Sequence, residues 1–365
     1  MKLSCSRDDL AARLALVGRG LSTRGAVQIL SGVLLQAREG ELELAATDME
    51  LSLRTGLAAE ITVEGTVVVP GRLLIELARL LPDERVKLEH RAEESTVVVS
   101  SGHAEYRLRT YAVEDFPRLP DPSAATLSRL ETGPLLETIG RVSRAAGRDE
   151  SRPVLTGILV RFEGTALVMA ATDSYRLAVK ETPLASPAPE LDAIVPARAL
   201  DEVRRIAAGT DMVELGTLDN HVVFGVDGAW LTTRRIDGQF PNYRQLLPES
   251  FAHEVRLPRE ELLDVVRRAA VMAQRSSPLR LRFEEGELIV SAQTQDVGEA
   301  REQMPAAFTG EPLEIGFNAD YLRDGIESLT DDELVFKLIN PLRPGLITTP
   351  TGDFWYLIMP IRLAG

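Results

Sequence analysis

The sequence predicts an α+β fold made of three tandem copies of one domain, each with two helices laid on one face of a mostly antiparallel sheet. Two observations carry this. Blocks of sequence recur at an offset of 125 residues, and within each copy the apolar residues switch between helical and strand periodicity. A chain of 365 residues with 44% apolar side chains has enough apolar surface for two or three separate cores.

The repeat is read block by block. Ser31-Gly32-Val33-Leu34-Leu35 matches Thr156-Gly157-Ile158-Leu159-Val160, and without a gap Ala45-Ala46-Thr47-Asp48 falls on Ala170-Ala171-Thr172-Asp173. Val69-Pro70-Gly71-Arg72 then matches Val195-Pro196-Ala197-Arg198, and Asp115-Phe116-Pro117 matches Gln239-Phe240-Pro241. A fainter third copy shows in Gly286-Glu287-Leu288-Ile289-Val290 and Phe317-Asn318-Ala319-Asp320. Proline-rich stretches at 117–122 and near Pro248 have linker composition. The expected domains are 1–122, 123–249 and 250–365.

Elements follow in order. Leu10, Leu14, Val17 and Leu21 form one stripe of a helix over 7–19, which Gly18-Arg19-Gly20 stops. Glu41-Leu42-Glu43-Leu44 alternates as a half-exposed strand. Pro70 suits a helix N1 position, and Leu73, Leu74, Leu77, Leu80 and Leu81 make the helix over 70–81 amphipathic. Strands are expected at 86–88, 96–100 and 105–110. Further helices are expected at 134–148, 196–208, 258–275 and 318–329.

The usual catalytic chemistries lack their residues. One cysteine, Cys5, rules out an intrachain disulfide or a cysteine zinc site, and the four histidines (His90, His103, His221, His253) form no His-x-x-x-His pair. None of the four lysines follows a glycine, so there is no P-loop; no Gly-x-Ser-x-Gly elbow occurs either. No cofactor, metal or enzymatic activity is expected. Without a membrane-length apolar run or a signal-peptide pattern, the chain reads as cytoplasmic.

Charge is segregated. The net charge is −14, yet the six expected helices carry 16 arginines against 12 acids, a net of +4, leaving −18 on strands and loops. Arg72 and Arg198 occupy equivalent places in copies one and two. An acidic chain repels open contact with DNA, an objection that topological enclosure removes.

In Ala171-Thr172-Asp173-Ser174-Tyr175-Arg176-Leu177-Ala178-Val179, Asp237-Gly238-Gln239-Phe240-Pro241-Asn242-Tyr243, Glu314-Ile315-Gly316-Phe317-Asn318 and the tail Met359-Pro360-Ile361-Arg362-Leu363, the whole chain resembles the bacterial sliding clamp family, the beta subunits of DNA polymerase III. The resemblance implies DNA-clamp domains, two chains closing head to tail into a six-domain ring around double-stranded DNA without sequence preference, and a processivity function. It implies as partners a second copy of the chain, the polymerase III catalytic subunit, a clamp loader, and other polymerases and repair proteins docking through short peptide motifs. No membrane is involved. The tail departs from the family pattern at Ile361 and in the extension Ala364-Gly365, as does Tyr175, where some members have histidine; these bear on partner preference. A specialised clamp paralogue that only docks proteins is the alternative, and an enzyme on this architecture finds no residues to support it.

Carried over by position, the partner-peptide groove comprises Leu155, Thr172, Ser174, Tyr175, Arg176, Leu177, Pro241, Leu246, Met359, Pro360, Ile361 and Arg362. The dimer interface comprises Tyr106, Leu108, Val271 and Met272. The arginines expected to face DNA are Arg24, Arg72, Arg141, Arg144, Arg148, Arg152, Arg198, Arg204, Arg205, Arg267, Arg268 and Arg275, without aromatic interleaving or a base-reading motif, so contacts should go to phosphates.

Overall fold

The computed structural model describes residues 1–22, 27–185, 191–273, 277–294 and 298–363. Arg24, Arg275 and the Ala364-Gly365 extension lie outside these. The chain folds into two compact units, one of Met1–Thr132 with Glu202–Arg235 and one of Gly133–Asp201 with Ile236–Gly365.

Six of the helices begin where a strand ends. They are α1 (Arg7–Val17), α2 (Gly71–Leu80), α3 (Thr132–Ser143), α5 (Ala197–Ile206), α6 (Arg259–Ala270) and α7 (Ala319–Glu327); the single turn α4 is Pro153–Thr156. Two of these starts have side-chain caps: Ser6 Oγ accepts from the Asp9 amide at 3.3 Å, and Asn318 Oδ1 from the Tyr321 amide at 3.0 Å. Pro70, Pro196 and Pro258 serve three others. Pro70 sits one place earlier than N1, as the N-cap and last residue of strand Gly65–Pro70, paired opposite Gly32.

Two helices, α3 and α6, end well before their expected ranges do. After Ser143 the chain tightens into i to i−3 bonds, Ala145 to Val142 and Ala146 to Ser143, and Gly147 turns to donate to Leu155. Arg144 and Arg148 therefore follow α3 rather than lie on it. Val271 and Met272 likewise follow α6 in a turn bonded to Arg268 and Ala269. On α2 the leucines divide: Leu74, with Ala78 and Leu81, is buried, while Leu73 (55%) and Leu80 (78%) face outward.

Every strand pair is antiparallel. The first unit holds one twelve-stranded sheet, in which Leu51–Val63 pairs through its first half with Ala229–Arg234 and through its second with Lys2–Ser6. Its edge strand Ala104–Arg109 pairs, among the described residues, only with Thr96–Ser101. The second unit holds an eight-stranded sheet centred on Arg176–Pro183 paired with Phe354–Ile358, and a four-stranded sheet whose edge is Gly298–Pro305. Helices pack on one sheet face: α1 on Leu51–Val63, and α6 on Glu287–Thr294 and Gly298–Pro305. The repeated glycines answer to close packing, since a Cβ would lie 2.6 Å from Val68 at Gly32 and 2.4 Å from Ile194 at Gly157. No helix among the described residues is long and apolar enough to cross a membrane.

One buried ion pair ties stability to acid. Lys180 lies within the eight-stranded sheet with a side chain 5% exposed, and its ammonium meets the Asp353 carboxylate. Burial would raise Asp353, but Lys180, Thr349 and Thr351 hold it down at about 2, against an ordinary 3.8. A folded-state value below the unfolded one contributes stability above pH 4, which is lost as pH falls from 4 towards 2. With Asp353 40% exposed, solvent screening roughly halves the full linkage value, leaving about 1 kcal/mol. Asp353→Asn should cost at least that at pH 7 and flatten the acid limb between pH 4 and 2 in urea titrations. An unchanged acid limb would disprove the assignment.

Candidate partner groove and nucleic-acid interface

The repeated Ala-Ala-Thr-Asp block is a turn. Thr172 Oγ1 donates to the Arg176 carbonyl (2.6 Å) and accepts from Ser174 N–H (3.1 Å), while Asp173 Oδ1 accepts from the amides of Tyr175 (2.9 Å) and Arg176 (3.1 Å). Copy one builds the same turn with Thr47 and Asp48, and Met49 and Ser174 share a φ of 80°. Copy two differs in its side chains: Tyr175 and Arg176 stand where copy one has Glu50 and Leu51.

Tyr175 is 58% exposed and stacks on Tyr321 with ring centroids 6.4 Å apart. Beneath them Arg176 is buried. Its Nε donates to Asp173 Oδ2 (3.0 Å), its Nη1 to Asp324 Oδ2 (2.5 Å) and Tyr356 Oη (3.2 Å), and its guanidinium lies 4.4 Å from the Tyr321 ring centre. Burial alone would lower the Arg176 pKa; Tyr356, Asp324 and Asp173 outweigh it and raise it. Burial in turn raises the Tyr356 phenol, with Arg176 opposing.

The tail completes this surface. Met359 N–H donates to the Tyr175 carbonyl (2.9 Å) and Ile361 N–H to the Gly316 carbonyl (2.8 Å). Met359 is 47% exposed, Pro360 and Ile361 are half-buried and Arg362 is exposed. Pro241 and Leu246 are exposed on the segment anchored by buried Tyr243, Ser174 is exposed, and Leu155 is half-buried. Tyr243 packs over a cluster that includes Leu177 and Leu357. Thr172, Arg176 and Leu177, expected as lining, are buried: they hold the turn and floor while Tyr175, Leu246 and Met359 offer the apolar surface. Tyr321 was not in the expected set. Its signal was Phe317-Asn318-Ala319-Asp320, where an N-cap fixes a tyrosine three residues on.

At the expected dimer surface, Val271 is 74% and Tyr106 40% exposed, with Leu108 and Met272 half-buried. Exposed Leu73 and Leu80 give α2 a further apolar surface.

Arg72, Arg144, Arg148, Arg152, Arg198, Arg204, Arg205, Arg267 and Arg268 are exposed. Several already meet carboxylates: Arg144 and Arg267 meet Glu327 (each 2.8 Å), Arg268 meets Glu302 (2.5 Å), Arg205 meets Glu202 (2.5 Å) and Arg152 meets Asp149 (3.1 Å). The exposed pairs among these contribute at most about 1 kcal/mol each, whereas Glu202 is buried and holds Arg205 more firmly. Arg141 departs from expectation. Its side chain is 7% exposed, bonded to Glu137 (2.9 Å) and Asp331 (3.2 Å) and stacked over Phe354, so it is a packing residue without access to DNA. Among the described residues no cluster of three His, Cys, Asp or Glu could hold a metal.

Family models match nearly the whole chain: the N-terminal domain of the DNA polymerase III beta subunit over residues 1–120, its central domain over 129–242 and its C-terminal domain over 244–362. The chain belongs to the DNA polymerase III beta subunit family, the beta sliding clamps. It is 35% identical to the beta sliding clamp of Streptomyces coelicolor and 36% identical to that of Synechococcus elongatus, each over 100% of both chains. The crystal structure of the Bacillus subtilis sliding clamp superposes with a TM-score of 0.95 at 25% identity, again over 100% of both chains.

Proposed function

We infer that this clamp-family chain is a non-catalytic, cytoplasmic processivity factor. Two copies close head to tail around duplex DNA, and the surface around Tyr175, Leu246 and Met359 takes short peptides from the polymerase III catalytic subunit, the clamp loader, other polymerases and repair proteins. Its repeat units are 1–122, 123–249 and 250–365.

The observation that carries this reading is the pairing pattern of the sheets. Each repeat contains eight strands. The fourth strand of copy one, Leu51–Val63, pairs with the eighth of copy two, Ala229–Arg234, and the fourth of copy two, Arg176–Pro183, pairs with the eighth of copy three, Phe354–Ile358. The same rule asks the fourth of copy three, Gly298–Pro305, to pair with the eighth of copy one, Ala104–Arg109. Both are sheet edges among the described residues. A second chain satisfies the rule twice, and the heterologous contact then closes.

The exposed helix arginines supply phosphate contacts with no base readout. Retention on DNA tests the reading: protein loaded on a circular plasmid should stay bound in moderate salt and leave once the plasmid is linearised. Equal retention on both forms would favour plain electrostatic binding, and none on either would favour a protein-docking role.

A further inference from the structure

The turn at 172–176 is joined to exposed Arg144 through one carboxylate. Asp324 on α7 divides its oxygens: Oδ2 accepts from Arg176 Nη1 at 2.5 Å, and Oδ1 lies 3.6 Å from Arg144 Nη1. Arg144 also donates to Glu327 Oε2, whose other oxygen accepts from Arg267, both at 2.8 Å. The run passes from exposed Tyr175 through Tyr321, Arg176, Asp324 and Glu327 to exposed Arg144 and Arg267. Three guanidinium groups (Arg144, Arg176, Arg267) meet three carboxylates (Asp173, Asp324, Glu327), so the set is neutral and gaining a phosphate means redistributing its pairs.

We propose that Asp324 is a positioning residue shared between the partner groove and the DNA-facing arginines, so that a peptide in the groove and duplex DNA on the arginines each tighten the binding of the other. This rests on the assignment of the two surfaces under the proposed function. A phosphate that draws Arg144 away leaves Asp324 to Arg176 alone. Arg176 then holds the Tyr321 ring and the 172–176 turn more firmly, and an incoming peptide finds the Tyr175 platform already ordered. In the other direction, a peptide packed on Tyr175 and Tyr321 fixes Arg176 on Asp324, which loosens Arg144 for phosphate. Thermodynamic linkage requires the two effects to be equal.

The test uses the full-length protein and a fluorescent peptide carrying the clamp-docking segment of the polymerase III catalytic subunit. Its dissociation constant is measured with and without saturating short duplex DNA at fixed low salt. DNA should tighten wild-type peptide binding about fivefold, at the lower end of common couplings. Asp324→Asn takes a charge from buried Arg176 and should melt lower, but while folded at the assay temperature it should still bind peptide and lose the DNA dependence. A general loss of fold would abolish peptide binding altogether instead. Should the variant fold poorly, the wild type alone decides, because saturating peptide must tighten DNA binding by the same factor. No DNA effect on wild-type peptide affinity, or a full effect in Asp324→Asn, overturns the coupling. Failure of the wild type to bind either ligand overturns the functional reading, and the coupling with it.

Discussion

Ending the chain at Ile358 is expected to abolish binding of polymerase-derived peptides while leaving the dimer intact. The removed residues would form one side of the proposed groove: Met359 is tied to the Tyr175 carbonyl and Ile361 to that of Gly316, and Leu363 packs 2.6 Å from where a Cβ at Gly316 would stand. Without them exposed Tyr175 loses exposed Met359 as its apolar neighbour. Methionine and leucine surfaces adapt to varied sequences, so their loss should affect every peptide partner alike. Affinity should fall by more than about a hundredfold, as when several central contacts of an interface go together. Tyr175→Ala, which removes one exposed ring, should cost about tenfold. Fluorescence anisotropy reads the first quantity and light scattering the dimer; a truncated chain that still binds peptide within a few-fold of wild type removes the tail from the site.

Much of this architecture was legible in the sequence because the repeat is written in residues with strict local roles. Gly32 and Gly157 are required by close packing, and Thr172-Asp173 is a turn whose hydrogen bonds use only those two side chains and the backbone. Such positions repeat because the fold repeats. They therefore pointed to architecture, and only the residues at which the copies differ, Tyr175 and Arg176 against Glu50 and Leu51, point to a site. What could not be read was which face of an element each side chain takes. Four leucines on α2 and Leu81 just after it look like one apolar stripe, yet Leu73 and Leu80, at the stripe's edge, are exposed. Arg141 looked like its neighbour Arg144, but three residues along a helix end separate a buried guanidinium over Phe354 from an exposed one on Glu327. Buried arginine is uncommon enough that composition favours the exposed reading, and only the carboxylates of distant Asp331 and nearby Glu137 make the buried one affordable.

Val271→Asp is expected to convert the dimer to monomer at micromolar concentration. Val271 follows α6 with 74% of its surface exposed, so the substitution leaves the domain core untouched and its effect reads on association alone. On the proposed pairing rule, this region, next to the edge strand Gly298–Pro305 on which α6 packs, would meet Ala104–Arg109 of a second copy, where Tyr106 is 40% exposed. Main-chain bonding between two free edges supplies register. Arg109 on one edge and Glu299 on the other would supply opposite charges across it, and Tyr106, Leu108, Val271 and Met272 would supply the apolar centre. An aspartate at that centre is desolvated without a partner, which costs several kcal/mol at each interface, and a closed two-chain ring contains the interface twice. The dimer dissociation constant should therefore rise by at least about a thousandfold, while peptide affinity at the Tyr175 surface stays at the wild-type value. Sedimentation equilibrium decides. A wild-type chain already monomeric at micromolar concentration, or a Val271→Asp chain that still sediments as a dimer, would remove these edges as the ring's closing contacts.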